Sequence, residues 1–334
     1  MTHRTAGSHA AIDHVELYVG DAAARSGEFV QRYGFHVAGR RHAADHESVV
    51  LRRGHITLVV TQGTADDHPA SAYVLQHGDG VATIALRVPD AAAATADALA
   101  AGAERLREGI AGFGDVAHVF VDGPAGPAGP ADSDEPAPPG LTDIDHVAVC
   151  LESGTLADTV AHYERAFGWQ QIFEENIHVG AQAMQSKVVQ SRSGEVTITL
   201  LQPLPGAQPG QIDDFLKNHG GSGVQHLAFS VPDILRAVDE LGERGVRFLS
   251  TPGPYYQELA GRLDHPAHPV SALRSRGILA DQDHDGQLFQ IFTRSEHPRG
   301  TLFMELIERQ GATTFGSNNI RKLYEAVERA TRDA

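Results

Sequence analysis

The sequence predicts an α+β protein of four strand-helix-strand modules, paired into two half-open mixed sheets with helices outside. Three observations carry this. Ile12-Asp13-His14-Val15 near the start returns as Ile144-Asp145-His146-Val147. Gly80-Val81-Ala82-Thr83-Ile84-Ala85 returns as Gly223-Val224-Gln225-His226-Leu227-Ala228, and both copies run on into Val-Pro-Asp, at 88–90 and 231–233. Between the two halves, residues 123–140 consist mainly of Gly, Pro and Ala, which offer few donors and little to bury, so the stretch reads as a linker. The expected division is an N-terminal domain over 1–122, the linker over 123–140, and a C-terminal domain over 141–334.

In the first half, residues 14–19 form a strand and 22–33 an amphipathic helix ending near Gly34. Residues 47–52 and 55–61 form a hairpin around Arg53-Gly54. Residues 81–88 form the next strand, followed by an Ala-rich helix capped by Asp90 and stopped by Gly102. In the second half, 146–151 is a strand, 156–167 a helix, and 186–190 with 195–201 a hairpin across Ser193-Gly194. Asp233 caps a helix on which Ile234, Val238 and Leu241 share a face, with Gly245 beyond its end. Residues 287–292 and 301–307 are the last strands. A closing helix is expected near 318–330, where Ile320, Leu323, Tyr324 and Val327 recur at helical spacing.

Composition narrows the function. The chain has 334 residues, enough for about two domains, and its 41% hydrophobic content suits packed cores. Lys and Arg number 27 against 43 Asp and Glu, a net charge of −16 that disfavours nucleic acid and anionic membranes as partners. No apolar run approaches the ~20 residues of a membrane span, and none follows Met1-Thr2-His3-Arg4 to act as a signal peptide. Cys150 is the only cysteine, so no intramolecular disulfide is expected and the reducing cytoplasm is the expected location.

The repeat also points to a site. His146 and His226 stand at equivalent places near the starts of paired strands, whereas the first copy has His14 and Thr83. Glu305 interrupts the apolar strand Thr301-Leu302-Phe303-Met304-Glu305-Leu306-Ile307, where an ionised carboxylate is costly unless paired or metal-bound. One strand histidine is more often a satisfied core residue than a ligand. Two at repeat-equivalent positions, with a lone glutamate in an apolar strand, favour a metal. Two imidazoles and a carboxylate leave about three open positions on an octahedral ion, the arrangement of non-heme Fe(II) oxygenases. His14 reads as structural, because Thr83 and the region of Val121 cannot complete a site. His178, His219, His265, His268, His284 and His297 read as solvated loop histidines.

Gly220-Gly221-Ser222-Gly223-Val224-Gln225-His226, Gly286-Gln287-Leu288-Phe289-Gln290-Ile291-Phe292-Thr293, Phe303-Met304-Glu305-Leu306-Ile307-Glu308-Arg309-Gln310-Gly311 and Phe315-Gly316-Ser317-Asn318-Asn319-Ile320 resemble the 4-hydroxyphenylpyruvate dioxygenase family. The likeness covers nearly the whole chain with both halves in register. It implies the vicinal-oxygen-chelate fold, four βαβββ-type modules paired into two half-open barrel domains, with Fe(II) on His146, His226 and Glu305. It also implies an arylpyruvate that chelates the metal through its 2-oxo acid, O2 as co-substrate, and a homodimer. Ser186, Thr199, Leu201, Gln290, Phe292, Phe315 and Ile320 would then line the substrate pocket, Ser186 facing the phenol, with Phe315, Ile320 and the last helix closing the mouth.

Two positions bear on the product. Family dioxygenases usually carry Pro-Leu-Asn-Glu where this chain has Thr199-Leu200-Leu201-Gln202, and Gly-Asn-Phe where it has Asn318-Asn319-Ile320. An aliphatic Leu201 and a smaller Ile320, together with Ala181-Gln182-Ala183-Met184-Gln185-Ser186 and Ala44-Asp45-His46-Glu47-Ser48, resemble the branch that forms 4-hydroxymandelate for hydroxyphenylglycine-type metabolism. Homogentisate formation is the nearest alternative. An extradiol dioxygenase and a non-catalytic binding protein of the same fold are more remote. The role of Gln202 stays open at this level.

Overall fold

The computed structural model describes residues 5–124, 140–179, 181–259, 261–316, 319 and 321. The first half contributes β1 (Ala11–Tyr18), β2 (His36–His42), β3 (His46–Arg53), β4 (Ile56–Gly63), β5 (Gly80–Val88), β6 (Arg105–Leu106), β7 (Gly109–Phe113) and β8 (Val116–Asp122). The second contributes β9 (Ile144–Cys150), β10 (Gln170–Val179), β11 (Gln182–Gln190), β12 (Thr197–Pro203), β13 (Gly223–Ser230), β14 (Leu279–Gln282), β15 (Gln287–Phe292) and β16 (Phe303–Gln310). The strand orders are β2-β3-β4-β1-β5-β8-β7-β6 and β10-β11-β12-β9-β13-β16-β15-β14, the same path walked twice. In each sheet the two repeat strands, β1 with β5 and β9 with β13, pair antiparallel at the centre, and each has a parallel partner on its outer side. The central strands β5 and β13 are buried nearly throughout, which is why they read as unbroken apolar runs.

Helices cover the outer faces: α1 (Ala22–Gln31), α2 (Pro69–His77), α3 (Ala91–Ala100), α4 (Leu156–His162), α5 (Gln211–His219), α6 (Ile234–Glu243), α7 (Gly253–Leu259) and α8 (Val270–Arg276). Asp21, Asp90 and Asp233 cap α1, α3 and α6, each side chain accepting the N–H three residues on at 2.8, 2.8 and 3.0 Å. The third module solves the same problem differently. Thr155 makes no side-chain cap to α4; instead Gln202 Oε1 accepts from the N–H groups of Gly154 and Leu156 at 3.0 and 3.1 Å. That is the structural role of the residue left open above.

Several expectations are corrected. The helix expected over 22–33 ends at Gln31. The one expected over 156–167 ends at His162 and widens into a π turn, Tyr163–Phe167, closed by Gly168 at φ +69°. The widening seats Tyr163, Ala166 and Phe167, all buried, against the first half. Tyr163 stacks on Trp169 with ring centres 5.1 Å apart, its hydroxyl lies 2.7 Å from His118 Nε2, and Trp169 Nε1 donates to the Gly7 carbonyl at 3.1 Å. A single apolar core therefore runs through both halves, with Phe35 meeting Phe229 at its centre. His219 and His297 are buried and His268 pairs with Glu308 at 2.8 Å, so these three are not solvated. Of the helix expected over 318–330 only Asn319 and Arg321 belong to the described residues, and Ile320 lies outside them. Most of the linker lies outside them too.

Candidate metal centre and pocket

Strand register builds the triad. Ala228 of β13 stands opposite His146 on β9 and opposite Glu305 on β16, and His226 is two residues before Ala228. Residues paired across strands, and residues two apart along one, share a face. The three side chains therefore converge on the concave side of the sheet. His226 Nε2 lies 3.2 Å and His146 Nε2 3.4 Å from Glu305 Oε2, and all three residues are buried. In the first half the same register aligns His14 and Thr83 with Val119, not Val121, and no such set forms there. Among the described residues, three other groups of His, Asp and Glu come as close together, but only this one is wholly buried.

Each ligand is oriented from behind. His146 Nδ1 donates to Asp145 Oδ1 at 2.8 Å, and Arg309 grips that carboxylate with Nε and Nη2 at 2.8 and 2.9 Å. His226 Nδ1 faces Gln225 Oε1 at 3.3 Å. Gln290 Nε2 donates to Glu305 Oε1 at 2.8 Å, Asn319 Nδ2 donates to Gln290 Oε1 at 2.9 Å, and Tyr255 Oη donates to Asn319 Oδ1 at 3.0 Å. The δ nitrogens are thus engaged from behind and the ε nitrogens face Glu305, the orientation in which both imidazoles could turn an ε nitrogen toward a metal.

Electrostatics agree. Burial would raise the Glu305 pKa, but the two imidazoles facing it hold it down at about 2. Burial would depress His146; the Glu305 and Asp145 carboxylates override that and lift it to about 9. His226 is lowered by burial, against the pull of Glu305. For Asp145, burial is outweighed by its bonds to His146 and Arg309, which keep it well below the usual carboxylate range. A buried anion is thus compensated by protonation of a neighbouring histidine. A divalent cation would take over that role, and this donor set fits one.

The wall of the cavity comes from the same face. Phe292 pairs with Glu305, Gln290 is two residues before it, Thr199 pairs with Ala148, and Leu201 pairs with both Cys150 and Ser186. His146, Ser186, Thr199, Leu201, Gln225, His226, Gln290, Phe292, Glu305 and Phe315 together line one small cavity of about 30 Å³. The structure thus assembles every expected site residue that it describes. It adds Gln225, which alternation would turn away from His226; a register shift between Val224 and His226 turns it in. The repeat held a signal for it, Gln225 replacing Ala82. Gly316, at φ +66°, lets the chain pass over Gln290, where a Cβ would come within 2.9 Å of Oε1.

Comparisons with known proteins follow the same line. Residues 143–291 match the Glyoxalase/Bleomycin resistance protein/Dioxygenase superfamily, and residues 8–126 match the N-terminal model of hydroxyphenylpyruvate dioxygenase. The 4-hydroxyphenylpyruvate dioxygenase of Dictyostelium discoideum is 30% identical over 95% of this chain and 97% of its own length. That of Legionella pneumophila strain Corby is 31% identical over 86% of each. A solved structure of a triple mutant of 4-hydroxymandelate synthase from Streptomyces coelicolor superposes with a TM-score of 0.88 at 44% identity, covering 96% of this chain and 99% of that one.

Proposed function

The chain belongs to the 4-hydroxyphenylpyruvate dioxygenase family, with its vicinal-oxygen-chelate fold, and from that membership we propose that it converts 4-hydroxyphenylpyruvate and O2 to 4-hydroxymandelate and CO2 with Fe(II). The convergence of His146, His226 and Glu305 carries this reading. These three would hold the ion. When bound, Fe(II) would supply open coordination positions for the 2-oxo acid and O2, and a redox centre that passes electrons from the substrate to O2. In the balance, the bond between the carboxylate carbon and the 2-oxo carbon breaks and CO2 leaves. One oxygen atom completes the new carboxylate and the other enters the benzylic C–H bond.

The protein supplies position and dryness. Gln290 holds Oε1 of Glu305, so that Oε2 alone faces the histidines. Phe292 and Phe315 form apolar walls that exclude water from the reacting atoms. The Ser186 hydroxyl and the Gln290 amide are polar groups at the wall for the substrate's phenol and carboxylate. Leu201 offers the ring no hydrogen bond, which favours a pose with the benzylic carbon toward the metal. The 44% identity to a 4-hydroxymandelate synthase, against about 30% to the dioxygenases, supports the same branch. A cytoplasmic, dimeric enzyme supplying hydroxyphenylglycine-type metabolism completes the proposal.

Iron reconstitution tests it. Fe(II)-loaded protein is expected to consume one O2 and release one CO2 per 4-hydroxyphenylpyruvate, and to leave catechols untouched. Glu305→Ala should lower iron affinity and turnover by at least about 100-fold, more than loss of an outer-shell partner costs. Full activity in that variant would contradict the metal assignment, and catechol cleavage would point to an extradiol dioxygenase.

A further inference from the structure

One set of contacts beside the triad closes on itself. Asp145, which receives the His146 Nδ1 proton at 2.8 Å, is held by Arg309 Nε and Nη2 at 2.8 and 2.9 Å. The remaining nitrogen of Arg309, Nη1, reaches the carbonyls of Thr314 and Ala312 at 2.7 and 3.2 Å. The same guanidinium lies 5.2 Å from the centre of the Phe315 ring. Phe315 returns to His146 edge-on, ring centres 5.4 Å apart. Asp283 Oδ2 secures the loop from its other side by accepting the Thr313 and Thr314 N–H groups, both at 2.9 Å.

Phe315 lines both the metal cavity and the open groove beside it, which Asp145, Arg309, Thr313 and Thr314 also line. It therefore stands between the cavity and the groove. A guanidinium presents five N–H groups in a rigid fork. Here one edge fixes the carboxylate that orients His146, and the other end fixes the carbonyls that place Phe315. A lysine ammonium, a point charge on a flexible stem, cannot span both.

We infer that Arg309 is a positioning residue that couples the Phe315 loop to the metal ligand His146 through Asp145. Metal seated on His146 holds Asp145 and Arg309 in place and so favours the closed Phe315 loop; by reciprocity, the closed loop tightens metal binding. The inference rests on the metal assignment of the triad. It goes beyond that assignment by placing a lever between ligand and loop.

Hydrogen exchange of the amides of residues 311–316 in the full chain, with and without saturating Co(II) as the only added metal, tests it. Co(II) affinity is measured in parallel by chelator competition. In the unaltered protein Co(II) should slow exchange across this segment about tenfold, within the usual range of site-to-site coupling. Arg309→Lys should lower Co(II) affinity roughly 10–100-fold, and at saturation the slowing should shrink below about twofold. Asp145→Asn breaks the same link at its middle while sparing the hold of Arg309 on the loop carbonyls, and it decides the matter if Arg309→Lys fails to fold. Co(II) binding without slowing in the unaltered protein, or full slowing in both variants, would overturn the coupling. Failure of Co(II) to bind the unaltered protein would instead refute the metal assignment itself.

Discussion

His146 and His226 were legible because the chain carries its own control: the first half holds Thr83 at the place of His226. Glu305 was legible as one charge in an apolar strand. The residues that orient these ligands were not. Asp145, Arg309 and Asn319 act through distances that only the folded chain creates, Arg309 reaching back 164 positions to Asp145. Gln225 was hidden by a local bulge that breaks the alternation rule on which the reading depended. At this scale the proposed choice of product rests on two apolar residues, Leu201 and Ile320. Leu201 is buried in the cavity wall, opposite Ser186. Leu201→Asn combined with Ile320→Phe should divert part of the product from 4-hydroxymandelate to homogentisate, read by chromatography against standards. A double variant that stays active and makes only 4-hydroxymandelate would remove these positions from the account.

The helices capped by Asp90 and Asp233 were read in place, while several polar, short or irregular elements were missed. β2 reads His-Val-Ala-Gly-Arg-Arg-His and sits exposed at a sheet edge, so it carries no buried alternation to detect. α2 and α5 were absent from the reading, although Pro69 at the start of one and Gly220 past the end of the other are ordinary boundary signals. The π turn over Tyr163–Phe167 continues a helical apolar pattern, so periodicity alone extended α4 through it. The Asp caps give an element-scale prediction. Asp90→Ala should cost about 1 kcal/mol of stability through loss of its bond to the Ala93 N–H. Product distribution should not change, because α3 carries none of the pocket residues. Urea unfolding checks the first part and product analysis the second; a changed product ratio would mean that the outer helices shape the pocket.

Across the whole molecule, duplication explains why a two-sheet scaffold carries one buried triad. Both sheets follow the same strand order, yet the register that gathers His146, His226 and Glu305 gathers His14, Thr83 and Val119 in the other. The halves are joined by a shared core that contains a neutral histidine. Burial lowers the His118 pKa to about 3, and burial followed by the neighbouring His77 lowers that of His219 to about 4. Both groups bind protons more readily when unfolded, where the value is near 6.5. Their contribution is therefore fully present above about pH 6.5 and is lost as pH falls toward 4, at about 1.4 kcal/mol per pH unit for each. Urea midpoints should drop over that window, and His118→Phe should flatten the slope by one proton's worth; an unchanged slope would show that His118 does not report folding. Product identity separates the two branches. Anaerobically Fe(II)-loaded protein is given 4-hydroxyphenylpyruvate and O2, and the product, which has the same mass in either branch, is identified by retention against both standards. 4-Hydroxymandelate is expected; homogentisate as the sole product would overturn the proposed reaction.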